Sequence, residues 1–504
     1  MTAKNTGQLK VILSFLLILS LCIFLFWPTF KFALFGDDWL AIWNYQSLQF
    51  SNSFNPVRYF FTLYGSQEAL MWSISKIFGY NGTIYYIFSL SLRMLAAFSL
   101  YPLVIYFTKN RFAAFVSTLL FATTYIGLEA TNWVFNMNVY LAIALMNFSI
   151  YFLLISRINK NKKKILVSLL FFYLAHIIAP SRVTFFIFMI FTIDLVWGIK
   201  ERKVNFFLKR QLLFLLVFIF ARFAGNYGIG YFSGLIQKNF LLGMYDLEFL
   251  KKIFISVGSL IIPENFLPNR ALGILGIAFF ALLLALLYKY RFKKEGELIL
   301  IALLFIITGL AAPIILWPHL PYFSPHRHLL LTAPGIALFG GSIVSLSHKK
   351  RFKLLVIICL VILMAIQVYS INKYLAHLEK TRSEITANII WNQILQKIPN
   401  PMANPNPLVF YFESDSESAA TLSDLVYFGF QVKIGVLFNI YSHKELPTPV
   451  NNFQNLREIL KRGRYYGNNI YQYVPLTNIF AYRLEEKTKL KDITKETRAK
   501  LLTD

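Results

Sequence analysis

About eleven apolar stretches of roughly 20 residues each, joined by short polar loops, constrain this chain more than any other feature. A stretch of that length crosses hydrocarbon as a helix, because only a helix satisfies its own backbone hydrogen bonds in lipid. The first runs from Leu9 to Trp27, and the others begin near Tyr80, Phe112, Trp133, Ile165, Val183, Gln211, Ala271, Glu297, His328 and Leu354. The first is too long for a signal-peptide core and has no small-residue cleavage site before Pro28, so it reads as a retained helix. Composition agrees: 57% of the residues are hydrophobic and 15% charged, against about a quarter charged in soluble domains. The 504 residues would otherwise suggest about three soluble domains. A soluble globular enzyme is excluded. The expected fold is an all-α polytopic membrane protein.

The net charge of +26 could suggest nucleic acid, but the placement of the cations excludes it. One alternating set of loops is dense in Lys and Arg: Lys4 and Lys10, Lys109 and Arg111, Arg157 to Lys164, Lys200 to Arg210, Lys289 to Lys294, and Lys349 to Lys353. The opposite short loops offer Arg182 and Arg327. The positive-inside rule puts the N-terminus in the cytoplasm, and an odd number of spans sends the C-terminal tail outside. The basic surplus then serves topology and attraction to anionic lipid. Cys22 and Cys359 both lie in apolar runs and make neither a disulfide framework nor a metal knuckle.

Residues 1–372 form the expected transmembrane domain, with an outer loop over 31–79 and a second outer segment over 226–270. Residues 373–504 form a small extracytoplasmic α/β domain. Within it, Leu408 to Phe412 and Gln431 to Leu437 read as strands, while Ala419 to Phe430 and Phe453 to Arg462 read as helices. The charged stretch from Glu485 to Asp504 reads as frayed.

Ionisable groups at membrane depth are costly and mark function. The sharpest cluster is Phe35-Gly36-Asp37-Asp38-Trp39, just after the first span. Adjacent carboxylates there can take a proton from an attacking hydroxyl or hold a divalent cation. They could equally be a solvated Gly-Asp turn capping an interfacial helix. Neighbours in sequence point in different directions, so one of the pair faces the reaction and the other orients it. Glu129 lies in the turn between the third and fourth spans, on the same face. Arg182 follows Pro180-Ser181 in the next outer turn, and His326-Arg327-His328 joins the ninth and tenth spans. Arg donates bidentately to phosphate, although Arg327 could also snorkel to lipid phosphate. His319, His326 and His328 could ligate a metal, but their spacing on a proline-broken loop is weak. The chain has no phosphate-binding Gly-rich loop and no Rossmann fingerprint. An activated donor used outside must therefore arrive on a lipid.

At these residues the chain resembles the GT-C glycosyltransferases, multi-span enzymes that use polyprenyl-phosphate sugars, and within them the family 39 and O-mannosyltransferase-like branch. The resemblance runs in order through residues 10–375. Asp37-Asp38 stands in the first outer loop, and Phe54-Asn-Pro-Val-Arg58-Tyr59 where a Tyr-Arg-Pro-like segment is usual. Phe78-Gly79-Tyr80, Leu128-Glu129-Ala130 and His326-Arg327-His328-Leu329 follow. Ser181-Arg182 stands where that branch has a Lys-Glu pair, and tetratricopeptide repeats are absent. The resemblance implies Asp37 or Asp38 as general base, and Glu129 positioning the acceptor or a cation. It implies Arg327, with Arg182, on the departing phosphate, and Arg58, His326 and His328 as further substrate contacts. It implies a polyprenyl-phosphate-sugar donor, a glycan, lipid or protein acceptor, and a site on the outer face of the cell membrane; a divalent metal stays open. Two other readings compete. One is an O-antigen polymerase or ligase, which needs an arginine-bearing outer loop that 226–270 could supply. The other is a lipid-linked-sugar transporter, for which Arg93 and Arg222 would be the mid-span charges.

Overall fold

The computed structural model describes residues 3–51, 54–159, 161–200, 204–224, 247–316, 323–347, 349–404, 406–443, 445–466 and 470–503. Residues 226–246 of the expected second outer segment, and His319, lie outside the described residues.

A helix stands at each stretch expected to span. They are α1 (Ala3–Leu25), α4 (Gly82–Thr108), α5 (Arg111–Ala122), α6 (Asn138–Asn159), α7 (Lys162–Ile178), α8 (Phe186–Lys200) and α9 (Val204–Ala224), then α11 (Asn269–Tyr290), α12 (Lys294–Leu316), α13 (Ala333–Leu346) and α14 (Lys350–Arg382). Between them lie α2 (Asp37–Leu48), α3 (Gly65–Phe78) and α10 (Leu247–Ser259). Among the described residues, six stretches are long and apolar enough to cross a membrane: Gly82–Thr108, Val134–Arg157, Pro180–Lys200, Asn269–Tyr290, Arg327–Leu346 and Lys350–Arg382. Helix α5 has 12 residues, about 18 Å of helix, which is short of a bilayer core of about 30 Å. It stops because the Thr123-Thr124 turn and Gly127, at φ +68°, bend the chain away.

Asparagines start three of these helices. Asn81, Asn110 and Asn161 each accept a hydrogen bond from a backbone N–H of the first turn, the usual remedy for the orphan donors there. Helices α10 and α11 touch backbone to backbone. A Cβ on Gly258 would sit 1.9 Å from the Leu272 carbonyl oxygen, and one on Gly276 would sit 2.0 Å from that of Phe254, the small-residue packing that lipid-embedded helices favour.

Arg93, expected deep in an apolar run, is fully buried in α4. It donates to the carbonyls of Ala122 at 3.0 Å and of Thr124, to Thr131 Oγ1 at 2.8 Å and to the Tyr140 hydroxyl at 3.1 Å. Arg222 donates to the Pro180 carbonyl at 2.9 Å and Thr184 Oγ1 at 2.7 Å. Both cations tie one helix to the turns and ends of its neighbours.

The C-terminal part is a small mixed sheet with helices. Strand β1 (Val409–Ser414) pairs in parallel with β2 (Thr448–Val450) on one side and with β5 (Ile479–Glu485) on the other, and β5 pairs antiparallel with β6 (Lys489–Asp492). A separate hairpin joins β3 (Arg464–Tyr466) to β4 (Ile470–Gln472). The expected helix Phe453–Arg462 is present as α17, but three expectations change. Gln431 to Leu437 is helical, within α16 (Phe430–Leu437), because Gly429 at φ +104° turns the chain and Lys433 N–H closes onto its carbonyl at 2.9 Å. A short apolar run does not distinguish strand from helix by pattern alone. Ala419 to Phe430 is not one helix: a turn over Ala419–Leu422 passes into a wide turn over Ser423–Tyr427. The stretch from Glu485 onward is ordered into β6 and α18 (Thr494–Thr503).

The expected boundary at 372/373 falls inside α14, which runs unbroken to Arg382 and is followed by α15 (Glu384–Lys397). The 31–79 loop is clamped between that helix end and the C-terminal module. Ala33 N–H donates to the Arg382 carbonyl at 2.9 Å and Gly36 N–H to that of Phe428 at 3.1 Å. Trp43 Nε1 donates to the Ile440 carbonyl at 2.8 Å, and Gln46 Nε2 to Asn439 Oδ1 at 2.8 Å.

Candidate active site

After α1 the chain makes a short Trp27–Lys31 turn and reaches Gly36 at φ +53°. The position requires glycine twice over: L side chains avoid that backbone angle, and the Phe428 ring occupies the space of a Cβ, 1.9 Å away. The turn places Asp37 and Asp38 in the first turn of α2, where the helix dipole favours anions.

The pair then diverges. Asp38 is fully buried. Its Oδ2 accepts the Phe35 N–H at 3.2 Å and its Oδ1 accepts the Phe135 N–H at 2.9 Å. Burial pushes this carboxyl up to about 7, against the downward pull of the two backbone N–H groups. Asp37 is half-buried and lines a cavity of about 190 Å³ with Leu40, Tyr427, Phe428 and Gln431. Among the described residues no donor reaches its carboxylate. Burial raises the Asp37 carboxyl above its ordinary value of 3.8, and Arg327 opposes that shift.

Glu129 and Arg327 come from turns 198 positions apart, and backbone hydrogen bonds zip those turns together. Gly127 N–H donates to the Ser324 carbonyl at 2.6 Å and Glu129 N–H to that of Pro325 at 2.9 Å. Arg327 donates to Glu129 Oε2 from its backbone N–H at 3.2 Å and from Nη1 at 3.3 Å. Its guanidinium lies 4.3 Å over the Trp133 ring, which packs on Phe35 at 5.3 Å. The turn after Trp133 carries Phe135, bound to Asp38, and Asn136, whose Oδ1 accepts from Arg182 Nη2 at 3.3 Å. His326 is pushed below its ordinary value chiefly by burial; Glu129 raises it, and Arg327 and Arg182 lower it. It is neutral at pH 7, stacks on the buried His328 at 4.9 Å, and accepts that residue's N–H through Nδ1 at 3.3 Å.

The structure thus gathers Asp37, Asp38, Glu129, Arg182, His326 and Arg327 around Trp133 and the 135–136 turn. His328 lies behind, buried. Arg58 is not brought in: it is exposed on the five-residue helix Pro56–Phe60, its backbone N–H capped by Asn55. Its neighbour Tyr59 instead donates to Glu68, which also accepts from Asn44 at 2.9 Å and is 3% exposed. Among the described residues no group of three His, Cys, Asp or Glu side chains could hold a metal ion. Each Asp38 oxygen accepts one backbone N–H.

Two neighbours escape sequence reasoning. Glu68 reads as part of a polar loop and becomes buried only through Tyr59 and Asn44. Arg382 reads as a cation ending a span, yet its guanidinium lies 3.7 Å over the Phe35 ring and pairs with Asp424 at 2.9 Å. It lowers the Asp38 carboxyl from the far side. Neither has a motif; a charged residue within a few positions of an aromatic run is the only local signal.

No protein-family model matches the sequence, and no curated protein matches it at a significant level. Among solved structures, the chain is similar to the archaeal oligosaccharyltransferase AglB from Archaeoglobus fulgidus, in complex with an inhibitory peptide and a dolichol-phosphate. Identity is 12% and the TM-score 0.45, over 88% of this chain and 64% of AglB, so the chain spans less than two thirds of that protein's length. It is also similar to ArnT from Cupriavidus metallidurans bound to undecaprenyl phosphate, at 12% identity and a TM-score of 0.45, over 96% of this chain and 93% of ArnT.

Proposed function

We propose that this chain is a GT-C-type membrane glycosyltransferase that moves a sugar from a polyprenyl-phosphate donor to an acceptor hydroxyl on the extracytoplasmic side. The observation that carries this reading is a half-buried carboxylate, Asp37, that no donor among the described residues reaches, within the electrostatic reach of Arg327, which Glu129 and Trp133 hold in place.

Asp37 is the base. It takes the proton of the acceptor hydroxyl as that oxygen attacks the anomeric carbon, and the bond from that carbon to the phosphate oxygen breaks with inversion. The electron pair leaves with the polyprenyl phosphate, which needs no proton to depart. Arg327, with Arg182, stabilises its charge, and neutral His326 stands beside them as a hydrogen-bonding group. Asp38 does not react: its two backbone bonds hold the start of α2 against the 134–136 turn and so aim Asp37. No step is routed through a metal.

A lipid donor is supported by a cavity of about 270 Å³ lined by Leu120, Leu260, Phe279, Ile336 and Leu360, with Gln367 at its polar end. Gln367 accepts the Tyr125 N–H at 2.7 Å, four residues before Glu129. The first isoprene units fit there, below the charged rim. In this reading the chain has eleven spans, with α5 a short one, the N-terminus is cytoplasmic, the basic loops stay inside, and residues after Arg382 form the extracytoplasmic domain of the cell membrane enzyme.

The test is mass spectrometry of polyprenyl-linked and envelope glycans with and without the gene, complemented by wild type or Asp37→Asn. One polyprenyl-phosphate sugar should accumulate and one envelope sugar should vanish in the null strain and in Asp37→Asn. Unchanged glycans in the null strain would overturn the reading.

A further inference from the structure

On the opposite side of α2 from Asp37 lies a second cavity, of about 170 Å³, bounded by α2, the turn before α4, α15 and α16. Its walls are aromatic: Trp39, Trp391 and Tyr80, which packs on Trp39 at 5.4 Å and is 40% exposed. Both indole N–H groups are already used, Trp39 on the Leu34 carbonyl and Trp391 on that of Leu425. The tryptophans therefore contribute faces only.

Between those faces stands Lys433. Its Nζ is 4.1 Å from the Trp391 ring centroid and 4.8 Å from that of Trp39. Among the described residues no carboxylate pairs with it and no acceptor takes a hydrogen bond from it. Aromatic faces attract a cation but leave its N–H donors unanswered. The remaining polar lining is Glu384, Asn388 and Asn392. The two amides stand one helical turn apart on α15, both exposed, and can each donate and accept. Burial lowers the Lys433 ammonium to about 7, with Glu384 raising it; an anion seated against Nζ would restore the charge.

Amides that both donate and accept, an aromatic rim and an ammonium that no carboxylate among the described residues pairs with form a complementary surface for hydroxyls and one oxyanion. The cavity is smaller than the roughly 300–1,000 Å³ of a drug-sized site, which suits a single ring or headgroup. We propose that this pocket binds a polyhydroxylated group carrying one oxyanion, with Lys433 on the carboxylate or phosphate and Asn388 and Asn392 on the hydroxyls. The pocket uses none of the transfer residues, and it opens where α14 passes into α15 and the outer loop meets α4. The oxyanion can therefore be borne by an acidic sugar or by a phospholipid headgroup.

The test uses the full chain in phosphatidylcholine nanodiscs, titrated calorimetrically with glucuronic acid, glucose 6-phosphate and glucose. A second arm adds phosphatidylglycerol and counts the lipids retained after delipidation by native mass spectrometry. The acidic sugars should bind roughly tenfold or more tighter than glucose, and Lys433→Met should erase that difference. Retention of phosphatidylglycerol, lost in Lys433→Met, without binding of the soluble acids would assign the same site to a headgroup. The proposal is overturned if neither acid sugars nor phosphatidylglycerol are preferred, or if the preference survives Lys433→Met. Should Lys433→Met not fold, Asn388→Ala/Asn392→Ala alters only exposed positions and must lower affinity for the preferred ligand; unchanged affinity overturns the proposal. Asp37→Asn should bind as wild type does, so failure of the transfer reading is seen separately.

Discussion

Near one end of the bundle Asp194, in α8, is fully buried and saturated. Arg210 Nε donates to its Oδ2 at 3.0 Å and Gln211 Nε2 at 2.9 Å, while Arg210 Nη2 and, at 3.4 Å, Arg157 Nη2 take Oδ1. At the opposite end Asp37 also lies within reach of an arginine, yet Arg327 is held back on Glu129 and Trp133, and the Asp37 carboxylate opens onto a cavity. Both sites set a carboxylate among arginines beside an indole; Arg157 lies 4.7 Å over Trp197. The difference is where the donors go. Asp194 has every lone pair engaged and can only hold helices together, whereas no donor among the described residues reaches Asp37, whose oxygens can take a proton.

Substitutions at the two acids test this contrast most directly. Asp37→Asn should lower sugar transfer by about 10² or more with an unchanged melting temperature, measured by donor turnover and by thermal unfolding in detergent. Asp194→Asn should instead cost about 3–5 kcal/mol of stability, because it leaves two arginines buried without their counter-charge; any folded fraction should retain transfer. Exchange of those phenotypes between the two variants would end the distinction.

Arg327→Gln sharpens it further. Transfer should fall by about 10²-fold, and the acid limb of the rate–pH profile should move to higher pH. Arg327 lowers the Asp37 carboxyl, so its removal lets burial raise that group more, and more base is needed to ionise it. An unmoved limb would separate Arg327 from Asp37.

Asp38 differs from both acids: it is sealed like Asp194, but among the described residues no cation forms an ion pair with it, Arg382 acting only at a distance. Its folded value of about 7 exceeds the ordinary 3.8, so the folded state binds the extra proton between those values. Stability from this group is then lost as pH rises from about 4 to 7. Asp38→Asn should flatten that part of the melting-temperature profile, at the cost of one backbone hydrogen bond. The smallest effect is expected at Arg58→Ala, within about twofold in transfer and about 0.5 kcal/mol in stability, since Arg58 stands exposed away from the cluster. A large loss there would return Arg58 to the site.

Much of the site is legible before folding because it violates a local expectation. Asp37, Asp38 and Glu129 are acids beside apolar runs, and Arg182 and Arg327 are cations in loops that topology keeps poor in cations. Such oddities survive into the structure as one cluster. Arg58 stands in a motif-like neighbourhood and violates no local expectation, and the structure leaves it outside. Glu68 and Arg382 look ordinary beside their sequence neighbours, whereas Asp194, an acid inside the apolar run from Phe185 to Trp197, violates the same expectation and is spent on holding helices together. Gln431 to Leu437 reads as a strand and folds as a helix because alternation over so few residues fits a strand and a buried helical turn equally well.

Hydropathy and charge are counted along the chain, so the order of the apolar helices and the loops that carry the basic residues were set by sequence alone. Which carboxylate of the acid pair faces out was not. That depends on the Phe135 N–H reaching Asp38 from 97 positions away and on the Phe428 ring closing over Gly36. Contacts between segments so far apart are made by packing, and only the assembled bundle and its C-terminal module bring the donors that leave Asp37 free.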